Sequence, residues 1–235
     1  MSEIKVNKIS PTSGGGTVTL ATSGDTIAVP SGVTIANSGT ATGFGGGSWT
    51  KIKTITASSD STIEFIDGTA SVVFDNTYKK YRIEVIDMHC SAADFLFVNF
   101  TTDGGSNWNV SKANKPIVHW WREDGGSYAN YPTIVSASDQ HTGTTTGGKL
   151  TADEVQGIDA TDSLVGELMI WNPSGTTYHK WYHWYGQWIG ADTTEHISSC
   201  NAEGKLETTS AVDGVQFAMG SGNIDAGTFI LYGLT

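Results

Sequence analysis

From Trp49 onward the chain keeps returning to short runs in which apolar and polar residues alternate, and glycine-rich breaks separate the runs. Lys80–Asp87 is the clearest case, with Tyr81, Ile83 and Val85 on one side and Lys80, Arg82 and Glu84 on the other. A period of two fits an extended strand with one buried face and cannot be satisfied by a helix. Thr62–Asp67 alternates in the same way. Asp94–Thr101 is apolar on both faces, as expected of a central strand. Further strands are expected at 117–122, 132–137, 163–171, 177–189, 212–219 and 227–233. Helix-forming runs of Ala, Leu, Glu and Lys are nearly absent, and the 29 glycines suit tight turns. Around ten short strands at this spacing predict an all-β chain whose head is a two-sheet antiparallel sandwich of jelly-roll type. Residues 138–161 are the longest expected loop. Asn172-Pro-Ser-Gly-Thr176 is an expected turn, with Pro173 fixing φ and Gly175 turning the chain.

The first 47 residues have a different texture. They hold ten glycines and one aromatic residue, Phe44, too little to fold around a core of their own. Apolar pairs recur two apart, at Val18 and Leu20, Ile27 and Val29, and Val33 and Ile35. Ser23-Gly-Asp-Thr-Ile27 and Ser31-Gly-Val-Thr-Ile35 are matching units eight residues apart. Such a stripe is closed if three chains wind about one axis, which predicts a fibrous β-shaft and a homotrimer. The other reading is an extended anchor or flexible tether. Gly43–Gly47 then serves as a hinge, giving a division into 1–47 (anchor or shaft) and 48–235 (head).

Charge narrows the function. The net charge is −11, and residues 1–47 balance Lys5 and Lys8 against Glu3 and Asp25, so the excess lies in the head. An acidic surface repels phosphates and anionic lipid, so neither nucleic-acid binding nor membrane insertion is expected. No apolar run is long enough for a spanning helix, and Met1–Ser10 lacks the apolar core of a signal peptide. Cys90 and Cys200 lack metal-ligand spacing and are expected to be buried thiols, with pairing left open by the sequence.

Three constellations could carry chemistry. Thr101-Thr-Asp-Gly-Gly-Ser-Asn-Trp108 resembles an Asp-box, with Asn107 where Thr is usual, and Asp124-Gly-Gly-Ser-Tyr128 echoes it. It reads as a structural hairpin in which Asp103 caps the turn and Trp108 packs beneath. Tyr178–Trp188 is the second. As a strand it sets Tyr178, Lys180, Tyr182, Trp184 and Trp188 on one face, and His179, Trp181, His183, Tyr185 and Gln187 on the other. One face must be core; the other is a sugar-stacking platform, a subunit interface, or covered by the rest of the fold. His119-Trp-Trp121 is a second aromatic patch, making Trp120, Trp121, Trp181, Trp184 and Trp188 the candidate ligand contacts. Third, Asp153, Glu154, Asp159 and Asp162 crowd one loop. Spacing alone does not place two of them across a cleft, as glycoside hydrolysis requires. His179 and His183 would lie about 13 Å apart on a strand, too far to share an ion. No catalytic residue, metal ligand or cofactor is assigned, and no enzymatic activity is expected.

The opening Glu3-Ile-Lys-Val-Asn-Lys-Ile-Ser-Pro11, with Ser23–Ile27, Pro30-Ser-Gly32 and Asn37–Gly45, resembles the N-terminal segment of tail-fibre and other virion structural proteins of marine tailed phages. Val212–Phe217 and Gly222–Leu234 resemble the last two strands of heads in the same group. The resemblance implies a virion component, commonly trimeric, assembled in the host cytoplasm and joined to other virion proteins through residues 1–47. Its head would recognise a host-surface glycan; the alternative is a purely structural capsid-decoration or tail-connector protein. A depolymerase is the least favoured reading, for want of length and of a long parallel β-helix pattern.

Overall fold

In the computed structural model, the described residues are 49–122, 133–134, 140–144, 147–151, 155, 161–190 and 196–234, with the backbone alone for 120–122, 133–134 and 140–144. The chain divides into two compact units, Met1–Gly46 and Gly47–Thr235. The expected shaft and hinge in residues 1–47 lie outside the described residues.

Among the described residues, thirteen strands lie in the second unit. In chain order they are β1 Thr50–Thr56, β2 Thr62–Ile66, β3 Lys80–Cys90, β4 Leu96–Thr101, β5 Lys112–Arg122, β6 Thr133–Ile134 and β7 Gln140–Thr144. There follow β8 Gly148–Lys149, β9 Leu164–Trp171, β10 Lys180–Gly190, β11 His196–Leu206, β12 Gly214–Met219 and β13 Ile224–Leu234. Nine form one sheet in the order β1-β13-β3-β9-β10-β11-β5-β6, with β7 also on β5; four form a second, β2-β12-β4-β8. Every pairing is antiparallel. Among the described residues there is no helix.

The two sheets meet through aromatic side chains. Phe217 of β12 lies 5.3 Å from Phe229 of β13, and Phe100 of β4 lies 5.1 Å from Tyr182 of β10, ring centre to ring centre. Each contact joins the small sheet to the large one, so the inner faces close a single core in a β-sandwich arrangement. The period-two rule holds along β3, where Tyr81, Ile83 and Val85 are buried and their neighbours are not.

Several expectations are corrected. Residues 138–161 contain β7 and β8, and Leu150, Thr151 and Val155 are buried, so this stretch is not one exposed loop. The strand expected over 177–189 starts at Lys180; Tyr178 precedes it and is 77% exposed, so it does not share the buried face of Tyr182 and Trp184. In the 172–176 turn the left-handed residue is Asn172 (φ 47°), and the Gly175 N–H donates to the Asn172 carbonyl at 3.1 Å. Cys90 and Cys200, by contrast, are buried thiols as expected, and they are not joined in a disulfide. Burial, and then Asp225, push the Cys90 thiol up to about 11.

The turn at 101–108 is held by the residues expected to hold it. It leads from β4 of the small sheet to β5 of the large one, so it is not the expected hairpin. Asp103 Oδ1 accepts from the Thr101 hydroxyl at 2.7 Å and the Asn107 N–H at 2.9 Å, and its Oδ2 accepts from Asn107 Nδ2 at 2.8 Å. Gly104 and Gly105 take φ of 68° and 85°. The Asn107 and Thr101 side chains hold the Asp103 carboxyl below its usual range. The echo at 124–128 lies outside the described residues.

Candidate functional site: the outer face of the large sheet

β10 sorts its aromatic residues by position. Tyr182, Trp184 and Trp188 point inward at 2%, 0% and 2% exposure, while Trp181 (58%) and Tyr185 (43%) point outward. The inward rings are accommodated by glycine. Gly166 and Gly186 face each other across β9 and β10, and a Cβ on either would run into the Trp184 ring. Gly204 of β11 likewise leaves room for the Tyr182 ring, whose hydroxyl donates to Asn114 Oδ1 at 2.9 Å.

The expectation that Trp184 and Trp188 contact a ligand is therefore corrected: both are core, and neither reaches the surface without opening the sandwich. Trp181 is placed outward. Trp120 and Trp121 pair by backbone with Ser198 and Ile197, and their side chains lie outside the described residues. His119 is exposed, opposite Ser199.

Antiparallel register brings to Trp181 a partner that sequence reasoning missed. Trp171, 39% exposed, is the cross-strand neighbour of Trp181, because both stand at the ends of strands flanking the 172–179 connection. Strand parity was the available signal, since Trp171 lies on the side opposite the buried Leu168 and Ile170. Val165 and Ile86 extend the exposed apolar surface of the same face at 40% and 41%.

Polar groups border the aromatics. Gln187 Nε2 donates to the Tyr185 hydroxyl at 3.0 Å. His183 stands between Met169 and Glu203 in register. Lys205, opposite Trp181, is 2.8 Å from Glu207, whose other oxygen lies 3.6 Å from His179 Nδ1. On the other flank the Lys80 ammonium sits 5.6 Å from the ring centres of both Trp49 and Trp171. The Arg82 guanidinium is stacked between Trp49 (4.8 Å) and Tyr232 (4.9 Å) and paired to Glu84 (2.9 Å) and Glu167 (3.6 Å). Burial, reinforced by the Glu84 carboxylate, raises the Tyr232 phenol above its usual value. The result is a firmly held sheet face carrying exposed aromatic rings within a polar border.

A second feature lies where β3 and β13 bulge. A cavity of about 480 Å³ is lined by Asp87, His89, Thr161, Asp162, Ser163 and Ala226. His89 Nδ1 is 3.9 Å from Asp225, which accepts from the Ser59 hydroxyl at 3.0 Å. Of the expected carboxylate cluster only Asp162 is described here; Asp153, Glu154 and Asp159 lie outside the described residues. Among the described residues no group of three or more His, Cys, Asp or Glu side chains is placed to hold a metal ion, and no helix is long and apolar enough to cross a membrane.

Comparison with known proteins returns no match: no family model, no curated protein and no solved structure is similar to this chain beyond chance.

Proposed function

We propose that the chain is a virion structural protein of a tailed phage, attached through residues 1–47 and presenting a jelly-roll-like head that recognises a glycan on the host surface. The observation that carries this reading is the outward pair Trp171 and Trp181, extended by Tyr185, on the rigid interior strands of the large sheet. Exposed aromatic rings stack on the C–H faces of sugars, and contiguous exposed apolar surface on a soluble protein marks a contact site. Binding without turnover is the expectation, with no cofactor and no enzymatic step. The fibrous shaft in residues 1–47 would make the particle form a homotrimer, so light scattering of the full chain should return three chain masses.

The test is adsorption of fluorescently labelled full-length protein to a panel of marine bacterial cells. The wild type should decorate at least one strain, and Trp181→Ala and Trp171→Ala should lose that binding with melting unchanged. Equal adsorption by the variants, or no decorated strain, defeats the reading. A purely structural decoration or connector role is the second reading. It draws support from Ile86 and Val165, aliphatic side chains exposed on this same face, which suit burial against a protein neighbour.

A further inference from the structure

We infer that the ligand of the outer face is a neutral oligosaccharide, longer than one sugar ring, laid along β10. This rests on the glycan reading above and deepens it.

The charge layout disfavours an acidic glycan. An anionic sugar is held by a cation that is available to it. Beside Trp181, Lys205 is bound to Glu207 at 2.8 Å. Arg82 is clamped between two carboxylates and two rings. Lys80 lies over Trp49 and Trp171. Lys115 stands opposite Glu203 in register. On the same face Glu84 and Glu167 are paired to Arg82, Glu207 to Lys205, and Glu203 stands opposite Lys115 in register. Recruiting Lys205 or Arg82 would break an existing ion pair and leave a carboxylate facing the ligand's own negative charge. The chain's net charge of −11 adds repulsion at longer range.

What the face offers instead is suited to uncharged hydroxyl-rich rings. Trp181 and Tyr185 give stacking surfaces, and His183 and Gln187 lie between and beside them on the same side of β10. Trp181 and Tyr185 are four residues apart on one strand, a span of about 13 Å, wider than a single sugar ring. Occupying both needs a chain of sugars.

The experiment applies the full-length protein to a printed array. The array carries neutral gluco-, galacto-, manno- and N-acetylhexosamine monomers and trimers beside sialylated, uronate and sulfated trimers. The inference expects capture of at least one neutral trimer, at least tenfold above its monomer and above every acidic glycan. Trp181→Ala should lose tenfold or more, and Trp181→Phe should retain most of the signal. If Trp181→Ala melts early, Trp171→Ala takes its place. Capture of acidic glycans alone, lost in Trp181→Ala, overturns neutrality and leaves the glycan reading standing. Capture equal for monomer and trimer overturns the extended site. Capture of nothing on the array, or capture indifferent to both tryptophan changes, overturns the inference and the glycan reading together.

Discussion

At the scale of single residues, the most informative contrast is between Trp181 and Trp184, three positions apart on one strand. Trp184 is fully buried, seated over two glycines, and carries much of the packing between β9 and β10. Trp184→Ala should cost about 3–5 kcal/mol, since the backbone around two glycines cannot collapse into the space. Trp181→Ala, from a position 58% exposed, should change stability by less than about 1 kcal/mol. Urea unfolding of the two variants checks both, and similar losses would mean the faces of β10 have been assigned wrongly. Lys112 gives a pH-dependent test. Its side chain is fully buried near Tyr182 and Gly148, and burial lowers its ammonium from 10.5 to about 8. The folded state thus disfavours the charged form. That penalty is present below about pH 8 and disappears as pH rises to 10.5, where the unfolded chain also loses the proton. Lys112→Met keeps the apolar stem and should be more stable than wild type at pH 7, on the order of 1–3 kcal/mol. The advantage should shrink by pH 10; a gap independent of pH would show that Lys112 does not titrate in this way.

At the scale of elements, β3, β9 and β10 lie inside the nine-stranded sheet, paired on both sides, whereas β1 pairs with β13 alone among the described strands. Amide exchange should therefore be slowest in Tyr182–Trp188 and fastest in β1, read by mass spectrometry or NMR. The reverse order would contradict the pairing. The strands that alternate large apolar with polar residues were legible in the sequence, as β2 and β3 were. β11 was not. Its inward positions are His196, Ser198, Cys200, Ala202, Gly204 and Leu206, several of them small, and Gly204 makes room for the Tyr182 ring from β10. A strand that receives its neighbour's aromatic rings carries little apolar signal of its own. β8 escaped notice for a related reason: Gly148 lies against the Tyr182 hydroxyl and the Lys112 stem, so its burial is due to other residues.

At the scale of the whole molecule, the all-β class and the sandwich of antiparallel sheets followed from alternation and glycine punctuation, because both are local consequences of strand geometry. The candidate site was half legible. Alternation divided Tyr178–Trp188 into two faces but could not say which was inward, and the choice of Trp184 and Trp188 as ligand contacts fell on the buried side. What decided it was the glycine pair Gly166 and Gly186, brought together only by the β9–β10 register. The same register put Trp171 beside Trp181, a pairing visible only once the hairpin is closed. The central proposal is that this outer face is where the head meets its ligand. The most direct measurement is an NMR titration of the indole N–H signals with surface polysaccharide extracted from a bacterial strain that the protein decorates. Trp181 and Trp171 should shift progressively while the buried Trp184 and Trp188 stay in place. Stationary Trp171 and Trp181 signals, with bound polysaccharide evident elsewhere in the spectrum, would contradict the claim.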